Sequence, residues 1–276
     1  MTSTLNFSIS DHKLLGSDVI PLITSKNNIE FNANLPDTII IHYTAGRSAE
    51  TSARFLQDEN VKASAHIVIG RNGEIYQIVP FNKIAWHAGV SQFGNRKNFN
   101  KYAIGIELDN AGVLTKVGTE YLSWFGEKYQ ANDVIYAKHR NENSPKYWHV
   151  YTPKQIEACE QVVKLLITSY GINTILGHEE IAVGRKQDPG PAFPLDKFRT
   201  NLLSLDRDEE TPISYEGTHK VIASLLNIRE GAGTAFKKVA QPLKQGAEVK
   251  ILEEKDGWCK VETKITGWVS KGHLDI

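Results

Sequence analysis

Residues 38–43, TIIIHY, are a β-branched run that follows Pro36 and Asp37, and they read as a buried strand. Such a run has to be covered by other elements, so its neighbours decide the fold class. Ser48 is placed to cap a helix through Phe55 and Leu56. SAHIVIG (64–70) and EIYQIV (74–79) read as strands joined across Asn72-Gly73, a hairpin dipeptide whose two residues are expected at positive φ. YAIGIEL (102–108) reads as a fourth strand. Thr152, Pro153 and Gln155 spell a capping box, and Ile156, Cys159, Val163, Leu166 and Ile167 then recur at helical spacing until Gly171. Strands alternating with helices predict an α/β domain with a mixed central sheet flanked by helices.

Between Glu107 and that second helix, residues 113–151 are less regular. They carry a cluster of aromatics (Tyr121, Trp124, Phe125, Tyr129, Tyr136, Tyr147, Trp148), expected to serve packing more than binding. The composition shifts at DRDEETP (206–212), a charged stretch without periodicity that ends in proline and reads as a linker. Beyond it, KVIASLLNIR, AEVKILEE, GWCKVE and GWVS are short strand-like runs separated by glycine, the pattern of a small all-β barrel.

Charge narrows the partners. Lysine plus arginine total 32 and aspartate plus glutamate total 32, and the two halves do not cancel: from Asp206 onward there are 11 basic and 12 acidic residues, leaving 21 and 20 before it. Neither part has a field that would gather nucleic acid or an anionic membrane. No stretch approaches the roughly 18 to 20 apolar residues of a spanning helix. The first twenty residues have no basic start, no continuous apolar core and no cleavage-site pattern, so a cytoplasmic location, or delivery by lysis or specialised secretion, is expected. Cys159 and Cys259 fall in separate domains and are expected to be buried free thiols. No pattern speaks to oligomeric state.

Nine histidines are the richest chemical resource. His42 ends the first strand, His178 follows another apolar run (172–176), and Asp188 lies ten residues on. Two imidazoles and a carboxylate are three ligands with a fourth tetrahedral place left for water, a set that suits zinc better than magnesium or calcium. Spacing alone leaves this triad one combination among many. Pro189 and Pro191 stiffen the backbone around Asp188, and Lys186, two residues before it, points to the same side if the segment is extended. Glu107 is a carboxylate within an apolar strand, either partnered in the interior or on the exposed face of an amphipathic strand.

Four segments, SAHIVIGRNGEIYQIVP, AWHAGVS, NKYAIGIELDNAG and LGHEEIAVGRKQDPGPAFPLDKFR, together resemble the type 2 zinc-dependent N-acetylmuramoyl-L-alanine amidases. Within that family the likeness is greatest to the anhydro-muropeptide amidases of cell-wall recycling, and it covers roughly residues 36 to 203. The resemblance implies Zn2+ on His42, His178 and Asp188, a catalytic Glu107 with Lys186, and a substrate groove touched by Arg71, Trp86 and His87. His66 is expected as a structural histidine or one that supports the metal ligands from behind, and His12, His139, His149, His219 and His273 as surface or packing residues. The tail from about Lys220 resembles bacterial SH3-type domains, which implies a cell-wall tether, with Trp258 and Trp268 as either ligand surface or core.

The organisation expected is therefore an N-terminal extension (1–33), an amidase domain (34–205), a linker (206–215) and an SH3-like cell-wall-binding domain (216–276). The implied activity is hydrolysis of the amide between N-acetylmuramic acid and L-alanine in peptidoglycan or its muropeptides. Two rivals stand beside it: a non-catalytic peptidoglycan-recognition protein, and a zinc hydrolase that cuts within the stem peptide. Recognition relatives commonly lack the last metal ligand, and this chain retains an aspartate there.

Overall fold

In the computed structural model, residues 7–203, 218–221, 225–233, 236–255 and 258–264 are described. The chain divides into two units, Met1–Arg207 and Asp208–Ile276. In the first, β1 (Ser8–Ser10) and β2 (Lys13–Leu15) form a small antiparallel hairpin that buries Leu14. Then come β3 (Val19–Pro21), β4 (Thr38–Tyr43), α1 (Ala49–Gln57), β5 (Ile67–Ile69) and β6 (Ile75–Gln77). A small hairpin, β7 (Gln92–Phe93) with β8 (Arg96–Lys97), precedes β9 (Ala103–Leu108).

Ser48 caps α1 as expected, its side chain accepting from Thr51 N–H. The β5–β6 hairpin forms, but its turn differs from the expectation. Only Gly73 (φ +92°) reaches positive φ, while Gly73 N–H closes onto Gly70 O at 3.0 Å and Gly70 N–H onto Glu74 O at 2.8 Å. This longer loop ends in a left-handed glycine, so one residue absorbs the twist that a two-residue loop would divide between two.

Residues 113–151 are more ordered than their sequence suggests. β10 (Val113–Val117), β11 (Glu120–Leu122), β12 (Lys128–Tyr129), β13 (Val134–Lys138) and β14 (Pro145–His149) build a separate antiparallel sheet in the order β12-β11-β10-β14-β13. Tyr147 meets Tyr121 and Tyr136 at ring-centroid distances of 5.1 and 4.7 Å, so aromatic pairs hold the sheet while Trp148 is buried beneath it. α2 (Pro153–Tyr170) begins at the expected Thr152–Gln155 capping box and ends at Gly171 (φ +68°). β15 (Thr174–Gly177), α3 (His178–Ile181) and α4 (Leu195–Leu203) complete the unit.

The central sheet has the order β15-β4-β9-β5-β6-β3. Its pairs are parallel except β5–β6. The N-terminal extension is thus built into this sheet, donating its edge strand β3 beside β6. Strand alternation assigns the two faces. Ile39, Ile41, Ile104 and Ile106 pack against Cys159, Val162, Val163 and Leu166 of α2. The opposite face packs Ile40, Ala103 and Leu176 with Phe99 and Ile181, and Val68 with Ala49 and Ala53 of α1. Both faces are covered, which is why these strands read as continuous apolar runs.

In the second unit, β16 (His219–Lys220), β17 (Leu225–Leu226), β18 (Leu243–Lys244), β19 (Glu248–Lys255) and β20 (Trp258–Glu262) pair antiparallel as β16-β19-β20 and β17-β18. The 206–215 linker, the GWVS run and Trp268 lie outside the described residues. Cys159 is buried in α2, but Cys259 is exposed, which corrects the expectation of two buried thiols. Cys259 follows the half-buried Trp258, and successive strand residues face opposite sides. Among the described residues, no helix is long and apolar enough to cross a membrane.

Candidate metal centre

Parallel register brings the site together. His42 of β4 lies directly beside Glu107 of β9, and Gly177 of β15 is paired with Ile41, so the next residue, His178, emerges next to His42. These side chains gather at the carboxyl ends of parallel strands, where open α/β sheets place ligands. Asp188 arrives from the loop after α3.

The three converge closely. His42 Nδ1 and His178 Nδ1 are 2.9 Å apart, and each lies 2.9 Å from Asp188 Oδ2. All three residues are buried. Hydrogen bonds at the far side of each ring fix which nitrogen carries the proton. His87 Nε2–H donates to Ala103 O at 3.0 Å, so its Nδ1 accepts from His42 Nε2–H at 2.9 Å. His178 Nε2–H donates to Ala88 O at 3.1 Å. Both Nδ1 atoms are therefore left as lone pairs facing a carboxylate oxygen. Burial and the neighbouring His178 push the His42 imidazole down to about 4, and burial likewise holds His87 well below the ordinary range, which keeps both rings neutral. Three converging acceptors repel one another unless a cation sits among them. The residues fit a metal ion, and they form a group of the right reach to hold one.

His87 thus has a role that the sequence reading missed. The resemblance implies a substrate groove for it; it lines the cleft, but Nδ1 is engaged by His42 and Nε2 by Ala103 O. The signal was Gly105 in the middle of β9. A Cβ there would lie 2.4 Å from His87 Cγ, so only glycine lets the ring rest on the strand.

Glu107, Lys186 and Trp86 line the same cleft, of about 610 Å³. Glu107 Oε2 is buried and has no hydrogen-bond partner among the described residues. Burial, reinforced by the Asp188 charge and opposed by Lys186, pushes the Glu107 carboxyl up to about 8. Neither sequence alternative for Glu107 holds as stated: it is half-buried at the cleft wall and its Oε2 faces no hydrogen-bond partner among the described residues. Arg71 is not brought to this cleft. Its Nη1 donates to Val150 O at 3.0 Å, and its carbonyl accepts from the Thr152 hydroxyl at 2.6 Å, so it clasps the β5–β6 hairpin to the start of α2. His66 is structural, as expected: Nε2 donates to Lys83 O and Nδ1 accepts from Gly105 N–H, each at 2.9 Å.

Residues 32–191 match the family described as N-acetylmuramoyl-L-alanine amidase, and residues 224–275 match the bacterial SH3 domain. The chain is 35% identical over 158 residues to the 1,6-anhydro-N-acetylmuramyl-L-alanine amidase AmpD of Salmonella typhimurium (strain SL1344), spanning 56% of this chain and 65% of that protein's length. It is 29% identical over 228 residues to the N-acetylmuramoyl-L-alanine amidase AmiD of Escherichia coli (strain K12), spanning 75% and 70%. Among solved structures, a selenomethionine derivative of AmpD is similar with a TM-score of 0.50 at 28% identity, over 70% of this chain and 97% of that one.

Proposed function

The chain belongs to the N-acetylmuramoyl-L-alanine amidase family, and we propose that it hydrolyses the amide joining N-acetylmuramic acid to the L-alanine of a peptidoglycan stem peptide. The observation that carries this is the convergence of His42 Nδ1, His178 Nδ1 and Asp188 Oδ2 next to Glu107 Oε2, which has no hydrogen-bond partner among the described residues. Two imidazoles and one carboxylate favour Zn2+. Bound zinc supplies a polarised carbonyl and an acidified water.

The protein's own groups do the rest. Glu107 accepts the proton of the attacking water and returns it to the leaving alanine nitrogen, which needs a carboxyl value near neutrality such as burial provides. Lys186 places its cation beside the oxyanion that develops on the former carbonyl oxygen. Trp86 forms an apolar wall of the cleft. An aspartate in the third ligand place supports an enzyme over the recognition-only alternative. The C-terminal unit holds the enzyme near its polymer by raising local concentration.

Incubating the protein with purified muropeptides, with and without a chelator, and weighing the products tests this. Free stem peptides beginning with L-alanine are expected, and only without chelator. Intact substrate overturns the reading, and a cut within the stem moves the chemistry to another bond. Glu107→Ala is expected to lower turnover by at least about 10²-fold while zinc stays bound; near-normal turnover would remove Glu107 from the proton path.

A further inference from the structure

The ligand Asp188 is held from behind by groups to which no role has yet been given. Glu179, immediately after the ligand His178, is 2% exposed. Its backbone N–H donates to Asp188 O at 2.8 Å, and its Oε2 accepts from Gly190 N–H at 3.1 Å. One residue therefore grips the ligand's loop on both sides of Pro189. A buried carboxylate needs partners of its own. His139, 1% exposed, supplies one: its Nδ1 accepts from Asn141 N–H at 3.1 Å, so Nε2 carries the proton and donates to Glu179 Oε2 at 2.6 Å. Arg140 Nε meets Glu179 Oε1 at 2.7 Å and balances the charge. His139 and Arg140 directly follow β13, in the separate antiparallel sheet, and Trp148 of β14 stacks on His139 at 5.6 Å. That tryptophan also fills the space at Gly190, where a Cβ would lie 2.9 Å from its ring.

We propose that Glu179 and His139 are positioning residues for the metal ligand Asp188, and that the β13–β14 hairpin serves as the brace of the metal centre. The inference rests on the proposed reading of His42, His178 and Asp188 as metal ligands. Neither residue belongs to the converging His42, His178 and Asp188 set, although His139 reaches the cleft wall. Glu179 fixes where the Asp188 backbone sits, and His139 fixes the carboxylate of Glu179, with its proton on Nε2 and no change of charge required.

Zinc affinity of the full chain, measured by competition with a chromogenic chelator, tests this beside the melting temperature of the metal-free protein. Glu179→Ala and His139→Ala are each expected to weaken zinc binding about 10- to 100-fold. The double variant is expected to bind within about threefold of the weaker single variant, because the two act as one unit. Glu179→Gln keeps an acceptor and is expected to retain more affinity than Glu179→Ala; if the alanine variants do not fold, Glu179→Gln and His139→Gln carry the comparison against the parent. Variants that bind zinc within about twofold of the parent overturn the inference whatever their melting temperatures, since the network then only stabilises the fold. A parent that binds no zinc overturns the metal reading itself, so the two failures are told apart.

Discussion

His66 and His87 are neighbouring buried rings, 5.9 Å between centroids, with different tasks. His66 bridges Lys83 O and Gly105 N–H within the core, whereas His87 passes orientation to His42. Burial holds His66 down to about 4. An unfolded imidazole takes its proton near 6.5, so between about 6.5 and 4 the unfolded chain binds a proton that the folded chain refuses. The stability His66 brings is complete above about 6.5 and is lost as pH falls toward 4, on the order of 3 kcal/mol. Glutamine keeps one donor and one acceptor, so His66→Gln is expected to flatten the fall of melting temperature over that window. Equal slopes in parent and variant would mean that His66 is protonated in the folded state. At this scale the residues of the site were legible only in part. His42, His178 and Asp188 are an unremarkable trio by spacing and became ligands by resemblance. The service of His87, Glu179 and His139 to them depends on contacts between residues 11 to 45 positions apart, which no local pattern records.

Strands β4, β5, β6 and β9 of the central sheet were legible because their runs are apolar and largely buried, whereas the edge strand β3, exposed at Ile20 and Pro21, was not. α2 was legible down to its cap, since Thr152, Pro153, Gln155 and Gly171 each satisfy a local backbone requirement. The antiparallel sheet of 113–149 was not. Its strands are two to five residues long and mostly half-exposed, so cross-strand tyrosine pairs replace the alternation by which a strand is read. β9 joins the element to the site. Glu107 and Gly105 share one face of it, the glycine as a bed for His87 and the glutamate open to the cleft. Gly105→Ala would force the ring off the strand. It is expected to weaken zinc binding about 10-fold or more and to lower the melting temperature. Unchanged affinity would mean that His42 keeps its orientation without His87.

Two units of different character make up the chain, and His42, His178 and Asp188, the group that could hold a metal ion, lie within Met1–Arg207. Removing residues 206–276 is expected to leave cleavage of soluble muropeptides within about threefold of the parent and to slow product release from whole sacculi about 10-fold or more. An equal loss on both substrates would mean that the C-terminal unit supports the chemistry or the fold rather than attachment. The sequence by itself determined the mixed α/β class, the strands that carry His42 and Glu107, the capped helix behind them and the change of composition near residue 206, because periodicity, turn residues and capping are local properties. Tertiary structure alone decided that His87 sets the orientation of His42 while His66 bridges backbone groups in the core, and that an insertion without sequence periodicity reaches Glu179 behind the Asp188 loop. Those roles depend on register between strands and on hydrogen bonds between distant segments, and neither exists until the chain has folded.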